Sequence, residues 1–152
     1  MKESIKNLAQ QCKQATSVVA SLETKTKNSI LADMAKSLRH QTSFILRENQ
    51  KDLQHAQKIK LNPAMCDRLL LNHQRIDEMA GGLNDLIKLR DPVGAVVKAW
   101  TRPNGLRIQK VRIPLGVIGV VYESRPNVTV DAAGLCFKSG NTVFLRGGKE
   151  AF

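Results

Sequence analysis

Two polar corners near the end of the chain hold the side chains best suited to chemistry. The first is Glu123-Ser124-Arg125-Pro126-Asn127, which follows the apolar run Pro114-Leu-Gly-Val-Ile-Gly-Val-Val-Tyr122. An arginine at the C-terminal edge of a parallel strand, just before a helix N-terminus, is well placed to hold a phosphate. Arg125 has a plainer use, a local ion pair with Glu123, and the sequence leaves both open. The second corner is Arg146-Gly147-Gly148-Lys149-Glu150, which follows Thr142-Val-Phe-Leu145. Its glycines let backbone N–H groups approach a ligand, and Lys149 adds positive charge to the first turn of the next helix. The spacing is neither G-x-G-x-x-G nor a Walker loop, so it signals nucleotide binding only weakly.

Other reactive side chains are dispersed. Cys12, Cys66 and Cys136 are odd in number and lack a C-x-x-C pair. They argue against a disulfide framework or a zinc site and fit structural thiols in a reduced cytoplasm. His40, His55 and His73 have no acidic partner at ligand spacing, so no metal site is expected.

The two corners need elements to position them. Run, corner, helix, run and glycine turn predict a β-α-β unit over 114–152, with ligands expected at the C-terminal ends of the strands. The small residues Ala132, Ala133 and Gly134, with Asp131, should let the connecting helix approach the sheet. Gly140 should end that helix as a C-cap. Upstream, apolar periodicity predicts a helix over 3–22 capped by Ser4, and one long helix over 26–57. Asn62-Pro63 marks the start of a short helix. A fourth helix contains Gly81-Gly82, a pair expected to pack closely against a neighbour. Asn104-Gly105 between two β-prone runs predicts a hairpin over 95–113. A parity change in its second strand predicts a bulge near Gln109–Lys110. The hairpin should leave the body and pair with another segment or subunit. The expected fold is α/β, with N-terminal helices (1–94), a protruding hairpin (95–113) and the start of a parallel sheet (114–152).

The composition excludes several classes. With 152 residues and 42% hydrophobic side chains the chain has the size and apolar content of one domain. Only 4% are aromatic, so an aliphatic core is expected. The longest apolar run is far short of the roughly 20 residues of a membrane span, and the first residues lack the apolar segment of a signal peptide. A cytoplasmic, non-membrane protein is expected. The net charge of +11 lies almost wholly before Pro114. It is scattered, without interleaved aromatics or a nucleic-acid-binding motif, so a solvated face is favoured over a nucleic-acid surface.

The wording of the corners is more specific than their spacing. Pro114-Leu-Gly-Val-Ile-Gly-Val-Val-Tyr-Glu-Ser-Arg-Pro-Asn-Val-Thr-Val-Asp-Ala-Ala133 and Lys138-Ser-Gly-Asn-Thr-Val-Phe-Leu-Arg-Gly-Gly-Lys-Glu-Ala151 closely resemble the γ-glutamyl phosphate reductases. That family lies within the aldehyde dehydrogenase superfamily. The likeness extends more loosely to Asn62-Pro63, Asp67–Asn72, Arg75-Ile76 and Asp91–Gly94, and covers essentially the whole chain. It implies an aldehyde dehydrogenase-like, Rossmann-like cofactor domain. It also implies NADPH-dependent reduction of γ-glutamyl phosphate to glutamate 5-semialdehyde, with phosphate release, in proline biosynthesis. In the family a cysteine thiolate in a downstream domain displaces phosphate; none of the three cysteines matches it. The resemblance is thus to the first third of the enzyme, and the chain alone is expected to be inactive. A parallel sheet of about two strands should also depend on further residues to cover it.

Carried over by position, the resemblance implies cofactor contacts at Glu123, Ser124, Arg146, Gly147, Gly148 and Lys149. Lys149 stands where related dehydrogenases have an acid, which favours NADP over NAD. Arg125 or Asn127 is implied to contact the substrate phosphate or the developing oxyanion. The hairpin is implied to be an oligomerisation arm. Gly134, Phe137 and Phe144 depart from the usual wording at packing positions. Two alternatives stand beside this: a related aldehyde dehydrogenase with another substrate, or a basic non-enzymatic binding module.

Overall fold

The computed structural model describes residues 5–123 and 125–148. In order along them run α1 (Ile5–Ser21), α2 (Thr24–His40), α3 (Thr42–Lys58), α4 (Pro63–Leu69), α5 (His73–Lys88), β1 (Val96–Thr101), β2 (Arg107–Val111), β3 (Val117–Val121), α6 (Pro126–Lys138) and β4 (Thr142–Arg146). Ser4, the expected cap of α1, lies outside the described residues.

The long helix expected over 26–57 is two helices broken at Gln41, whose φ/ψ of −95°/12° leaves the helical basin. The cause is polar rather than a Gly or Pro. The Thr42 hydroxyl donates to the carbonyls of Leu38 (3.2 Å) and Arg39 (2.8 Å). It thus bonds to the Leu38 oxygen that a continuous helix would pair with the Thr42 N–H.

The core is aliphatic, as the composition predicts. Leu31 and Ala35 of α2 meet Ala80 and Leu83 of α5, with Val130 and Phe137 of α6 against them. Close approach comes from Gly134, not from Gly81-Gly82. A Cβ at position 134 would lie 2.7 Å from Leu83 Cδ2 and 2.8 Å from Leu86 Cδ1. Gly134 thus faces α5 rather than the sheet. A Cβ at Gly81 would meet nothing within 4 Å, and one at Gly82 only Asp131 Oδ1 at 3.8 Å.

These glycines differ in an observable way. Gly140 closes α6 in a Schellman arrangement, with Gly140 N–H on Phe137 O (3.0 Å) and Asn141 N–H on Cys136 O (2.8 Å). Its φ is +75°, and a Cβ there would sit 2.8 Å from Pro114 Cγ and 3.0 Å from Val93 Cγ2. Gly140→Ala is therefore expected to lose more stability than the ~1–2 kcal/mol of the left-handed backbone alone. Gly81→Ala is expected to gain about 0.5–1 kcal/mol through helix propensity. Urea midpoints of the two variants should move in opposite directions; a shift in the same direction would refute this assignment.

The β-α-β unit forms as the sequence predicts. β3 and β4 pair in parallel, with Val117 opposite Thr142 and Val121 opposite Arg146, and α6 connects them. Tyr122 N–H donates to Arg146 O at 3.1 Å, so the two strands end side by side. α1 packs on this pair: Cys12 Sγ donates to Val143 O (3.6 Å), and the Thr16 and Thr142 hydroxyls lie 3.3 Å apart. Asn141, 5% exposed, accepts from Gly116 N–H at 2.9 Å and fixes the entry to β3.

β1 and β2 form a separate antiparallel sheet. Arg102 N–H donates to Leu106 O and Gly105 N–H to Arg102 O, both at 2.9 Å, with Gly105 at φ +83°. The three-residue turn uses the Asn104-Gly105 signal. The extra residue of the bulge is Val97, between the pairs Val96–Val111 and Lys98–Lys110. It therefore lies on β1, across from the predicted position in β2. Every residue of β1 is exposed, Trp100 and Val97 included.

At the hairpin root, Asp91 ties three segments together. Its carboxylate accepts from Lys27 Nζ (2.9 Å), the Thr24 hydroxyl (3.0 Å) and Val93 N–H (2.9 Å). The next residues pair with the end of the hairpin: Gly94 N–H donates to Arg112 O and Arg112 N–H to Ala95 O.

Candidate functional site

The end of α4, the strap after it and the start of α5 build one wall of a cleft, and an asparagine caps each of the two helices. Asn62 Oδ1 accepts from Met65 N–H (2.9 Å) and starts α4 with Pro63 in its first turn. Asn72 Oδ1 accepts from Arg75 N–H (2.8 Å) and starts α5. The strap between them is held from beneath by Asn49 of α3. Its amide donates to Leu69 O (2.9 Å), and its oxygen accepts from Leu71 N–H (2.8 Å), with Asn49 only 4% exposed. Arg75 braces the strap from above. Its guanidinium reaches the Asp67 carboxylate (3.0 Å), the Asp67 carbonyl and Leu70 O (2.6 Å).

The opposite wall is the start of α6. Arg125 occupies the cap position without a side-chain cap bond, and Pro126 sets the first turn. Between the walls lies a cleft of about 430 Å³. Arg125, Asn127 and Asp131 line one side, and Asp67, Arg68, Arg75, Glu78 and Met79 the other. Asn127 and Asp131 are four residues apart on α6, so they share a face. Burial raises the Asp131 pKa above the ordinary aspartate value, and a hydrogen bond from the Asn127 side chain acts against that rise. Glu78 accepts from Gln74 at 2.8 Å. Among the described residues neither Arg68 nor Arg125 forms an ion pair. The pairing of Arg125 with Glu123, left open by the sequence, is not made.

The expected site residues thus divide into two groups. Arg125 and Asn127 line the cleft. Glu123 follows β3, and Arg146, Gly147 and Gly148 end and follow β4, so these lie at the C-terminal edge of the parallel pair. Arg146 is exposed, while both glycines are half-buried. Ser124 and Lys149 lie outside the described residues. Arg68, Glu78 and Asp131 were not among the expected site residues, although they line the cleft. The two Asn caps carry their signal, because they fix where α4 and α5 begin, and so the phase at which Arg68 and Glu78 project from them. Among the described residues, no helix is long and apolar enough to cross a membrane.

Comparison with known proteins bears on the whole chain. No protein-family model matches it. The γ-glutamyl phosphate reductase of Carboxydothermus hydrogenoformans is 54% identical over 150 residues, 99% of this chain and 36% of that protein. The γ-glutamyl phosphate reductase of Moorella thermoacetica is 52% identical over 148 residues, 97% of this chain and 35% of that protein. Among solved structures, γ-glutamyl phosphate reductase from Thermotoga maritima superposes with a TM-score of 0.94 at 42% identity, covering 98% of this chain and 36% of that one. The Saccharomyces cerevisiae enzyme gives 0.92 at 31% identity, covering 99% and 38%. A probable aldehyde dehydrogenase from Listeria monocytogenes shares the fold at 13% identity, with a TM-score of 0.68 and 96% and 29% covered. The chain spans about a third of the length of the curated relatives it matches. Over nearly all of its residues, the chain is a close relative of the N-terminal third of the γ-glutamyl phosphate reductases.

Proposed function

We propose that these residues form the N-terminal part of an NADPH-dependent γ-glutamyl phosphate reductase, acting in proline biosynthesis. The carrying observation is identity above 50% along 97–99% of the chain to proteins of that name. Residues 1–94 and 114–152 belong to the cofactor-binding domain, with β3, α6 and β4 as its first Rossmann-like unit. The nucleophilic thiolate that displaces phosphate comes from outside these residues, since none of the three cysteines stands at the position the family uses.

The strand edge fits a phosphate-bearing nucleotide. Gly147 and Gly148 present backbone without side chains, and Arg146 is an exposed cation with no ion pair among the described residues. NADPH bound there supplies the hydride. Glu123, Ser124 and Arg146–Lys149 hold it, and Lys149 favours the 2′-phosphate over a bare ribose. On the cleft side, Arg125 holds the leaving phosphate. Asn127 spends one amide hydrogen on Asp131 and keeps the other for the carbonyl oxygen as it gains charge. The hairpin 95–113, exposed along β1, is an oligomerisation arm whose open strand edge another subunit covers. A cytoplasmic setting goes with this activity, because its three free thiols would stay reduced there.

The test uses a reductase that carries these 152 residues as its N-terminal third. Arg125→Ala is expected to lower kcat/KM for the acyl phosphate about 100-fold while leaving KM for NADPH within about twofold. Unchanged acyl-phosphate kinetics would remove Arg125 from the site. Absence of NADPH-dependent turnover in the parent, with the NADPH-binding signals of residues 146–148 also missing, would overturn the assignment itself.

A further inference from the structure

The cleft holds more charge than the phosphate end of the substrate needs. Arg75 and Asp67 neutralise each other at 3.0 Å and are tied to the strap. Arg68 and Arg125 have no ion-pair partner among the described residues, and Glu78 and Asp131 have only amide partners. Four charges thus share one cleft without pairing. Elsewhere facing helices do pair, as Arg39 does with Asp77 at 2.7 Å. All four side chains are exposed and line the same cleft, where together they are complementary to a ligand that carries both signs.

A γ-glutamyl group has such a pattern. It is an L-α-amino acid, with a carboxylate and an ammonium on one carbon and the reacting carbonyl at the far end. Arg125, at the cap of α6, is the side chain assigned above to the phosphate end. We propose that the α4–α5 side of the cleft receives the amino-acid end, with Arg68 pairing with the α-carboxylate and with Asp131 and Glu78 taking the α-ammonium. The floor under the intervening methylenes is Leu71 and Met79, 9% and 7% exposed. An incoming ammonium also supplies the counter-charge that Asp131 lacks. This assignment rests on the reductase reading for the identity of the ligand. It adds the residues that select a glutamyl group over a simple acyl chain.

Amide NMR titration of a reductase that carries these residues as its N-terminal third, with three probes, tests it. The probes are L-glutamate, glutarate (no ammonium) and 4-aminobutyrate (no α-carboxylate). L-Glutamate is expected to shift residues 68, 78 and 131 saturably, with affinity at least tenfold above either analogue. Arg68→Met should bring glutamate down to the level of 4-aminobutyrate, and Asp131→Asn to the level of glutarate. Equal binding of the three probes, or variants that leave the ranking intact, overturns the assignment. In a reductase carrying these residues, both variants should raise KM for the acyl phosphate more than they lower kcat. An unchanged KM would likewise overturn it. NADPH added to the same samples reports separately on 146–148. A response there without glutamate selectivity removes this inference alone, and no response removes the reductase reading.

Discussion

Replacing Asp91 by alanine is expected to lower folding stability by about 3–5 kcal/mol, the effect of stranding one member of a buried ion pair. The loss is large because of Lys27, whose side chain is 1% exposed while that of Asp91 is 10% exposed. With Asp91 gone, the ammonium keeps its desolvation and loses its partner at 2.9 Å. Thr24 and Val93 N–H lose an acceptor as well. Against a net stability of roughly 5–15 kcal/mol for a domain, the variant should be largely unfolded at modest urea. Pairing Asp91→Leu with Lys27→Met should restore much of the loss, because two apolar groups of similar size leave no orphaned charge. A urea midpoint for Asp91→Ala within about 1 kcal/mol of the parent would refute the account. The same carboxylate predicts an acid transition. Burial alone would raise the Asp91 pKa, but the hydrogen bonds from Lys27, Val93 and Thr24 outweigh it and hold the value below the ordinary range. The folded value is thus lower than the unfolded one. Its contribution is complete above roughly pH 4 and is lost as pH falls through the depressed folded value.

Asn49→Ala is expected to lose about 2–4 kcal/mol, because two buried backbone groups lose a side-chain partner at once. The orphaned groups are Leu69 O and Leu71 N–H, on the strap that forms one wall of the cleft. The consequence should therefore exceed stability. Hydrogen exchange at Leu71 should accelerate far more than exchange in α2, and Arg75 should lose the geometry that holds Asp67 away from Arg68. Uniform acceleration across all helices would show that Asn49 acts only on global stability. Slow exchange at Leu71 in the folded variant would sink the bracing role.

Local chemistry made much of this fold legible. Asn62-Pro63 and Gly140 act within three or four residues of themselves, and each cap lies where its residue type predicts; the equivalent cap at Asn72 is not singled out by the sequence. The parallel strands and their connecting helix were equally plain, because apolar runs and polar corners alternate along the chain. The misses share a different origin. Gln41 breaks a helix through a neighbouring hydroxyl, and periodicity does not register hydroxyls. A Gly-Gly pair such as Gly81-Gly82 is unusual inside a helix, yet the glycine that admits a neighbour is Gly134 on the facing element. The parity change in β2 told of a bulge but not of which strand holds it. At the site, Arg125 and Asn127 were readable from their corner. Arg68, Glu78 and Asp131 were not, because they become neighbours only when α4, α5 and α6 assemble.

The contact between Gly119 and Phe144 bears on how this sequence can change. The two residues are register partners on β3 and β4, and a Cβ on Gly119 would sit 2.7 Å from the Phe144 ring. The ring occupies the volume that a side chain at 119 would need. The order of substitution therefore matters. A larger residue at 119 becomes permissible only after position 144 has shrunk, and the reverse order passes through a strained intermediate. With phenylalanine at 144, the glycine opposite it is what admits the ring between the two strands. An alanine at 119 that a smaller residue at 144 would accommodate meets the ring in this chain.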